Sequence, residues 1–188
     1  MTQTSDRVTW TTADLVLFPQ DDRRYEIIDG ELFVTWAPNW KHQKVATRIS
    51  TALDVWSEER GLGEVVQTPG VIFSDADNVI PDVVWISHDR LSNSLDEAGH
   101  LTTAPELVVE CLSYGGNNEA RDRQLKLKLY SLRGVLIYWI IDWQRERVEV
   151  YERQGSQLVL QATLQVGDGL TCEGLLPGFA VAVGRLFS

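Results

Sequence analysis

The chain has little cysteine, little histidine and no long apolar run. Its 188 residues hold two cysteines, Cys111 and Cys172, and three histidines. Neither cysteine belongs to a CxxC or similar spacing, so a zinc ribbon, a haem-attachment motif and a disulfide scaffold are all excluded. Cys111 lies inside an apolar run and reads as a small core residue. His88 and His100 form no metal-ligand spacing with each other. No apolar run reaches the length of a membrane span. The opening "MTQTSDRVTW" lacks the basic-then-apolar layout of a signal peptide, so a reduced, cytoplasmic protein with no membrane partner is expected. Basic residues are also scarce: Lys and Arg number 17 against 27 Asp and Glu, a formal net charge of −10. Steering toward nucleic acid would then depend on local basic clusters, not on the whole molecule.

What is present is ordinary globular material. Hydrophobic residues make up 44% and seven are tryptophans, enough for one sizeable core without staples. The expected organisation is a single domain over 1–188, with a core from about 10 to 150 and a C-terminal β extension over 147–188.

Local patterns supply the elements. Thr9–Phe18 reads as a short helix capped by Thr11 or Thr12. In "RYEIIDGELFV", Asp29-Gly30 between two apolar runs signals a hairpin. Asn39–Arg60 reads as a long helix, with Val45, Ile49, Leu53 and Trp56 at near-helical spacing, Asn39 as cap and Gly61 as terminator. "EVVQTPGVIF" and "VIPDVVWIS" read as two strands around a polar turn, and Ser87–Leu101 as a loop with at most one helical turn. "ELVVECL" is a strand. Asn117 or Asn118 caps a helix from about Glu119 to Leu132, which Gly134 stops. "VLIYWIID" is apolar on both faces and therefore central. "RVEVYER" and "QLVLQATL" form a last hairpin around Gly155-Ser156. The order implies an α/β or α+β domain: a mixed central sheet flanked by helices, with a right-handed crossover between the strands at 106–112 and 135–141.

Two acidic residues interrupt this pattern. Alternation puts Asp82 with Val84 and Ile86 on one face, and Glu110 with Glu106, Val108 and Leu112 on one face. If the strands are neighbours, Asp82 and Glu110 point to the same side. Close buried carboxylates repel, and a divalent cation such as Mg²⁺ relieves both the repulsion and the desolvation. The alternatives are a turn-forming Asp after Pro81 and a Glu that reaches solvent or an arginine. The following helix carries Leu125, Leu129 and Leu132 as its expected buried stripe, flanked by Lys126 and Lys128. Spacing does not choose between the two lysines. Arg121, Arg123, Lys126, Lys128 and Arg133 make this the densest basic patch of the chain.

"IPDVVWIS", "PELVVECLS", "RDRQLKLKLY" and "GVLIYWIID", together with the earlier "RYEIIDGELFV", resemble in order the Uma2 family of restriction-endonuclease-like proteins, many of them cyanobacterial. The resemblance covers about residues 10 to 150. It implies a PD-(D/E)xK nuclease fold, with Asp82 and Glu110 as ligands of Mg²⁺ (or Mn²⁺), Lys126 as the catalytic lysine and Glu26 completing the acidic cluster. The lysine usual two residues after the acid is absent, that position being Leu112. The resemblance implies DNA as substrate and phosphodiester hydrolysis as reaction. The alternative is a catalytically inactive nuclease-fold binding or assembly module, motivated by the net acidity and by Leu136-Ile137 where the family has Pro-Glu. Ser113 followed by Tyr114-Gly115-Gly116 also departs from the family's Ser-Pro. His42 and Ser113 are secondary candidates near the site, and the apolar tail and tryptophans suggest a homodimer.

Overall fold

The computed structural model describes residues 8–19, 21–115 and 118–188. Its first element is a 3₁₀ turn, Thr12–Leu17, which the Asp14 carboxylate ties to the Thr11 amide and hydroxyl, both at 2.8 Å. The expected α-helix over Thr9–Phe18 is thus shorter and tighter. Val16 and Leu17 are exposed, so no buried face supports further turns.

β1 (Arg24–Ile28) and β2 (Glu31–Thr35) form the expected hairpin. Asp29 and Gly30 both have positive φ, 52° and 70°, the backbone that a two-residue hairpin turn requires. α1 (Trp40–Arg60) begins where the Asn39 side chain accepts the Lys41 amide, and stops at Gly61 in the left-handed region.

Residues 63–87 form four strands, not two: β3 (Gly63–Gln67), β4 (Val71–Ser74), β5 (Asp77–Val79) and β6 (Val83–Ser87). Pro69 and Pro81 lie between them. Proline has no amide hydrogen for a ladder, so each run breaks there. The break lets β4 and β5 leave the main sheet and join the hairpin, in the order β2-β1-β5-β4.

α2 (His88–Leu91) is the single helical turn foreseen in the following loop. β7 (Leu107–Cys111) leads to a composite helix. α3 (Asn118–Ala120) passes into a π-helical segment, Arg121–Lys126, and continues as α4 (Leu127–Arg133) up to Gly134. Asn118 is the first helical residue, and Asn117 lies outside the described residues. β8 (Ile137–Asp142), β9 (Arg147–Gln154), β10 (Gln157–Leu164), β11 (Gly169–Cys172), β12 (Leu176–Ala182) and α5 (Gly184–Phe187) complete the chain.

The main sheet has the order β10-β9-β8-β7-β6-β3. β7 and β8 are parallel, joined by the composite helix; their outer neighbours are antiparallel. Both faces are covered. Val83, Trp85, Val109, Trp139 and Ile141 pack against α1 and Phe179, while Val84, Ile86, Val108, Tyr138 and Ile140 pack against α4 and the smaller sheet. Period-2 alternation therefore sorts β6, β7 and β8 between two cores, and Asp82 and Glu110 belong to the second face. Among the described residues no helix is long and apolar enough to cross a membrane.

Candidate active site

Pro81 ends β5's excursion and delivers Asp82 to the start of β6. One step inside, Val83 pairs with Val109 of β7, so Asp82 meets the far end of β7. Its Oδ2 accepts the Cys111 amide at 2.9 Å. Its Oδ1 accepts from Arg24 Nη1 at 3.1 Å, and His42 Nε2 lies 3.2 Å from Oδ2. Glu110 projects from the same end of the sheet, and two donors converge on its Oε1: Lys126 Nζ at 2.9 Å and the Tyr130 hydroxyl at 2.8 Å. Lys126 also lies 2.9 Å from Glu26 Oε1, which accepts the Ile80 amide at 2.9 Å. Asp82, Glu110, Lys126 and Glu26 thus fall in one contiguous cluster assembled from β1, β6, β7 and the composite helix.

The helix presents a different face from the one its leucines suggest. Leu125 and Leu132 are exposed, whereas Arg121, Asp122, Lys126, Leu129 and Tyr130 are buried. Asp122, Lys126, Leu129 and Tyr130 follow at i, i+4, i+7 and i+8, one face of the helix, so polar residues share the buried stripe; residues 121–126 of it are π-helical. Lys126 is buried and Lys128 is exposed, which resolves the choice between them.

Sequence reasoning missed Arg24, Arg121 and Asp122. Arg121 bonds Asp122 at 3.0 Å and lies 3.7 Å from Glu26. Tyr130 is core, as its apolar position suggests, but its hydroxyl is spent on Glu110. Ser113 does not meet Glu110; its amide points to Asp122 at 3.4 Å. For Arg121 and Asp122 the available signal was the crowding of charges in "RDRQLK"; Arg24, at the start of the first hairpin, had none.

Four buried carboxylates (Glu26, Asp82, Glu110, Asp122) face three permanent cations (Arg24, Arg121, Lys126) and His42. Crowding of carboxylates favours a proton bound within the cluster, and Glu110 and Asp122 are both raised by burial. Burial, opposed by Lys126 but reinforced by Asp82, Asp122 and Glu26, pushes Glu110 up to about 8. Burial also works against ionised Asp82, yet the His42 contact, Lys126 and the Cys111 amide hold it at about 2. His42 is raised in turn: burial lowers it, and Asp82 and Glu110 more than compensate. Lys126 is raised because Glu110 and Glu26 outweigh its burial.

The donor set suits a small hard cation. Mg²⁺ binds through one or two carboxylates and keeps several waters, so Asp82 and Glu110 suffice in number and kind. Among the described residues no three His, Cys, Asp or Glu side chains are gathered as a ready ligand set. Asp82 is instead turned toward Arg24, His42 and the Cys111 amide. A cleft of about 330 Å³ lies beside the cluster; its walls include Trp36, Asn39, His42, Tyr114 and Trp143, and His42 is the member of the cluster that lines it.

Comparison with known proteins agrees with this architecture. The family model Uma2, described as "Putative restriction endonuclease", matches residues 12–184. The fold is similar to the crystal structure of a "putative nuclease belonging to DUF820" from Anabaena variabilis, with a TM-score of 0.73 at 19% identity, covering 94% of this chain and 97% of that one. No curated protein matches.

Proposed function

The chain belongs to the Uma2 family, and on that premise we propose that it is a Mg²⁺-dependent (or Mn²⁺-dependent) endonuclease hydrolysing DNA phosphodiester bonds. The observation that carries this reading is the convergence of Glu110 and Glu26 on Lys126 beside Asp82. Asp82 and Glu110 would hold the metal, with Glu26 completing the acidic cluster. Once bound, a divalent cation polarises a phosphate oxygen and lowers the pKa of its water.

The chain's own residues do the rest. The Cys111 amide, Arg24 and His42 fix the Asp82 carboxylate in direction. Tyr130 holds Glu110 by one oxygen, leaving the carboxylate's other edge for a ligand. Lys126 keeps a permanent positive charge in a water-poor site, where it stabilises the charge that builds on phosphate. Glu110 must release its proton before it can take a cation.

The test is a nuclease assay on linear, circular, single-stranded and duplex DNA, with Mg²⁺, Mn²⁺ or EDTA, comparing wild type with Glu110→Gln. Metal-dependent cleavage lost in the variant is expected. Cleavage of equal strength by Glu110→Gln would identify a contaminant and end this reading.

A second reading, a nuclease-fold module that binds without catalysis, draws on one feature: each site carboxylate already has a cationic partner, with only 3% of Glu26 and Glu110 and 4% of Asp82 exposed. Calorimetry with Mg²⁺ and Mn²⁺ separates the two, since heat of binding in wild type and not in Asp82→Ala belongs to the enzyme alone. The edge strand β10 exposes Val159 and Leu160, which supports a homodimer formed by strand pairing; a strict monomer by light scattering at high concentration would remove that element. Two buried free thiols, Cys111 and Cys172, fit the reducing cytoplasm.

A further inference from the structure

We propose that the substrate enters as an unpaired strand, its bases stacked on Trp36 and Trp40; this rests on the nuclease reading and adds the form of DNA. The first observation concerns access. Asp82 and Glu110 are 4% and 3% exposed, and the cleft beside them is about 330 Å³. That is the size of a small-molecule pocket. It has room for one extruded nucleotide or a single-strand backbone, and a stacked duplex is too wide to bring its phosphate inside.

The second observation concerns the rim. Trp36 is 70% exposed and Trp40 81%, on the short segment between β2 and α1. Both indoles present a ring face that an aromatic partner can stack on. The Arg23 guanidinium lies 4.4 Å over the Trp36 ring, held from behind by Asp21 at 3.1 Å, which fixes the ring as a platform. Trp143 forms a wall of the main cleft and of the adjoining depression that holds Trp40, Lys41 and Lys44; Trp40 and Lys44 in turn line the next one, with Arg48. The surface is therefore a continuous track along the start of α1. Its charges are Lys41, Lys44 and Arg48 against Glu146, a local positive excess on an acidic chain. Aromatic platforms along a basic groove are how proteins hold single strands without reading sequence.

The third observation is where the track ends. His42 lines the main cleft while being 3% exposed, and its Nδ1 has no hydrogen-bond partner, although Nε2 is engaged by Asp82. A buried ring nitrogen without a partner is rare in a folded protein. The residue that carries it also lines the cleft.

The experiment measures equilibrium binding of a fluorescent oligonucleotide, single-stranded or as a hairpin duplex, in EDTA so that no cleavage intervenes. Wild type, Trp36→Ala, Trp40→Ala and Trp36→Phe are compared after circular dichroism confirms that each is folded. Tighter binding of the single strand is expected. Each alanine should weaken it by roughly 5- to 150-fold, the span of one lost base–aromatic stack, and Trp36→Phe should restore most of the loss. Equal or tighter binding of duplex, or unchanged binding by both alanine variants, would overturn the proposal. So would alanine variants that alter only the sedimentation state, which would make this face an interface between two copies. Strand binding without cleavage under any metal would support the track and remove the hydrolytic activity alone.

Discussion

Lys126 Nζ lies 2.9 Å from Glu110 Oε1, joining a π-helical turn to the end of a central sheet strand 16 residues earlier. Both groups are almost wholly removed from water. A charge in that position survives only with a partner, so the pair binds helix to sheet and holds the candidate site's charges in one place.

Removing one partner exposes that dependence. Lys126→Met should cost about 3–5 kcal/mol, because Glu110 and Glu26 are left facing each other in a buried site. Adding Glu110→Gln should recover part of the loss. Urea unfolding of the two single variants and the double variant measures the coupling; strictly additive losses would mean that the contact contributes nothing specific.

Glu110 makes stability and metal binding respond to pH in opposite directions. Its pKa is about 8 in the folded chain, raised by burial and by neighbouring carboxylates, against an ordinary 4.5. The folded state therefore holds the extra proton between these values. Its stabilising contribution is complete below about pH 4.5 and is lost as pH rises through 8. Glu110→Gln should remove this slope from the urea midpoints. A cation must displace the same proton, so Mg²⁺ affinity should strengthen as pH rises toward 8, with proton release detectable by calorimetry in buffers of different ionisation enthalpy. Metal binding with the same strength at pH 6 and pH 8 would contradict this.

Asp82 carries the opposite sign. Its carboxylate is held at about 2 despite burial, through His42, Lys126 and the Cys111 amide. This contribution is present above about pH 3.8 and is lost as pH falls toward 2. Asp82→Asn should flatten the acid limb of the stability profile and reduce cleavage by about 100-fold or more, the scale of losing a group that acts on transition-state charge. Full cleavage by this variant would remove Asp82 from the site.

A second charged cluster is structural. Asp142 is fully buried and accepts from the Tyr114 hydroxyl, the Arg145 amide and side chain, and Arg123, with Arg147 at 3.3 Å. Asp142→Ala should destabilise by about 1–3 kcal/mol, since the Tyr114 hydroxyl and the Arg145 amide lose their acceptor while the arginines still reach solvent. Single-turnover cleavage of prebound DNA should stay within a few-fold of wild type at a temperature where the variant is folded.

The hairpin turn at Asp29-Gly30, the Asn39 cap and the Gly61 stop of α1 were all legible, because each depends on a few neighbouring residues and their backbone preferences. The buried alternation of "DVVWIS" and "LVVEC" was legible too, and with it the common face of Asp82 and Glu110. The four-strand division of residues 63–87 was only half visible. Pro69 and Pro81 mark the breaks, but nothing local says that β4 and β5 change sheets. The π segment was invisible, since no local pattern marks it. The buried face was misassigned for another reason: apolar identity favoured Leu125 and Leu132, whereas the structure buries Asp122 and Lys126, in line with Leu129 and Tyr130 at ordinary helical spacing.

By itself, then, the sequence determined the first hairpin, the long helix, the central strands of a mixed sheet and the family to which the chain belongs. These follow from short-range propensity, alternation and motif order. Spacing left Lys126 and Lys128 open and the family resemblance favoured Lys126; tertiary structure is what shows Lys126 meeting Glu110 and Glu26, brings Arg24, Arg121 and His42 to the carboxylates, and sets the candidate site beside a tryptophan-lined cleft. Charge balance in a buried site is set by distances of about 3 Å between residues far apart in the chain, and no local pattern encodes those distances.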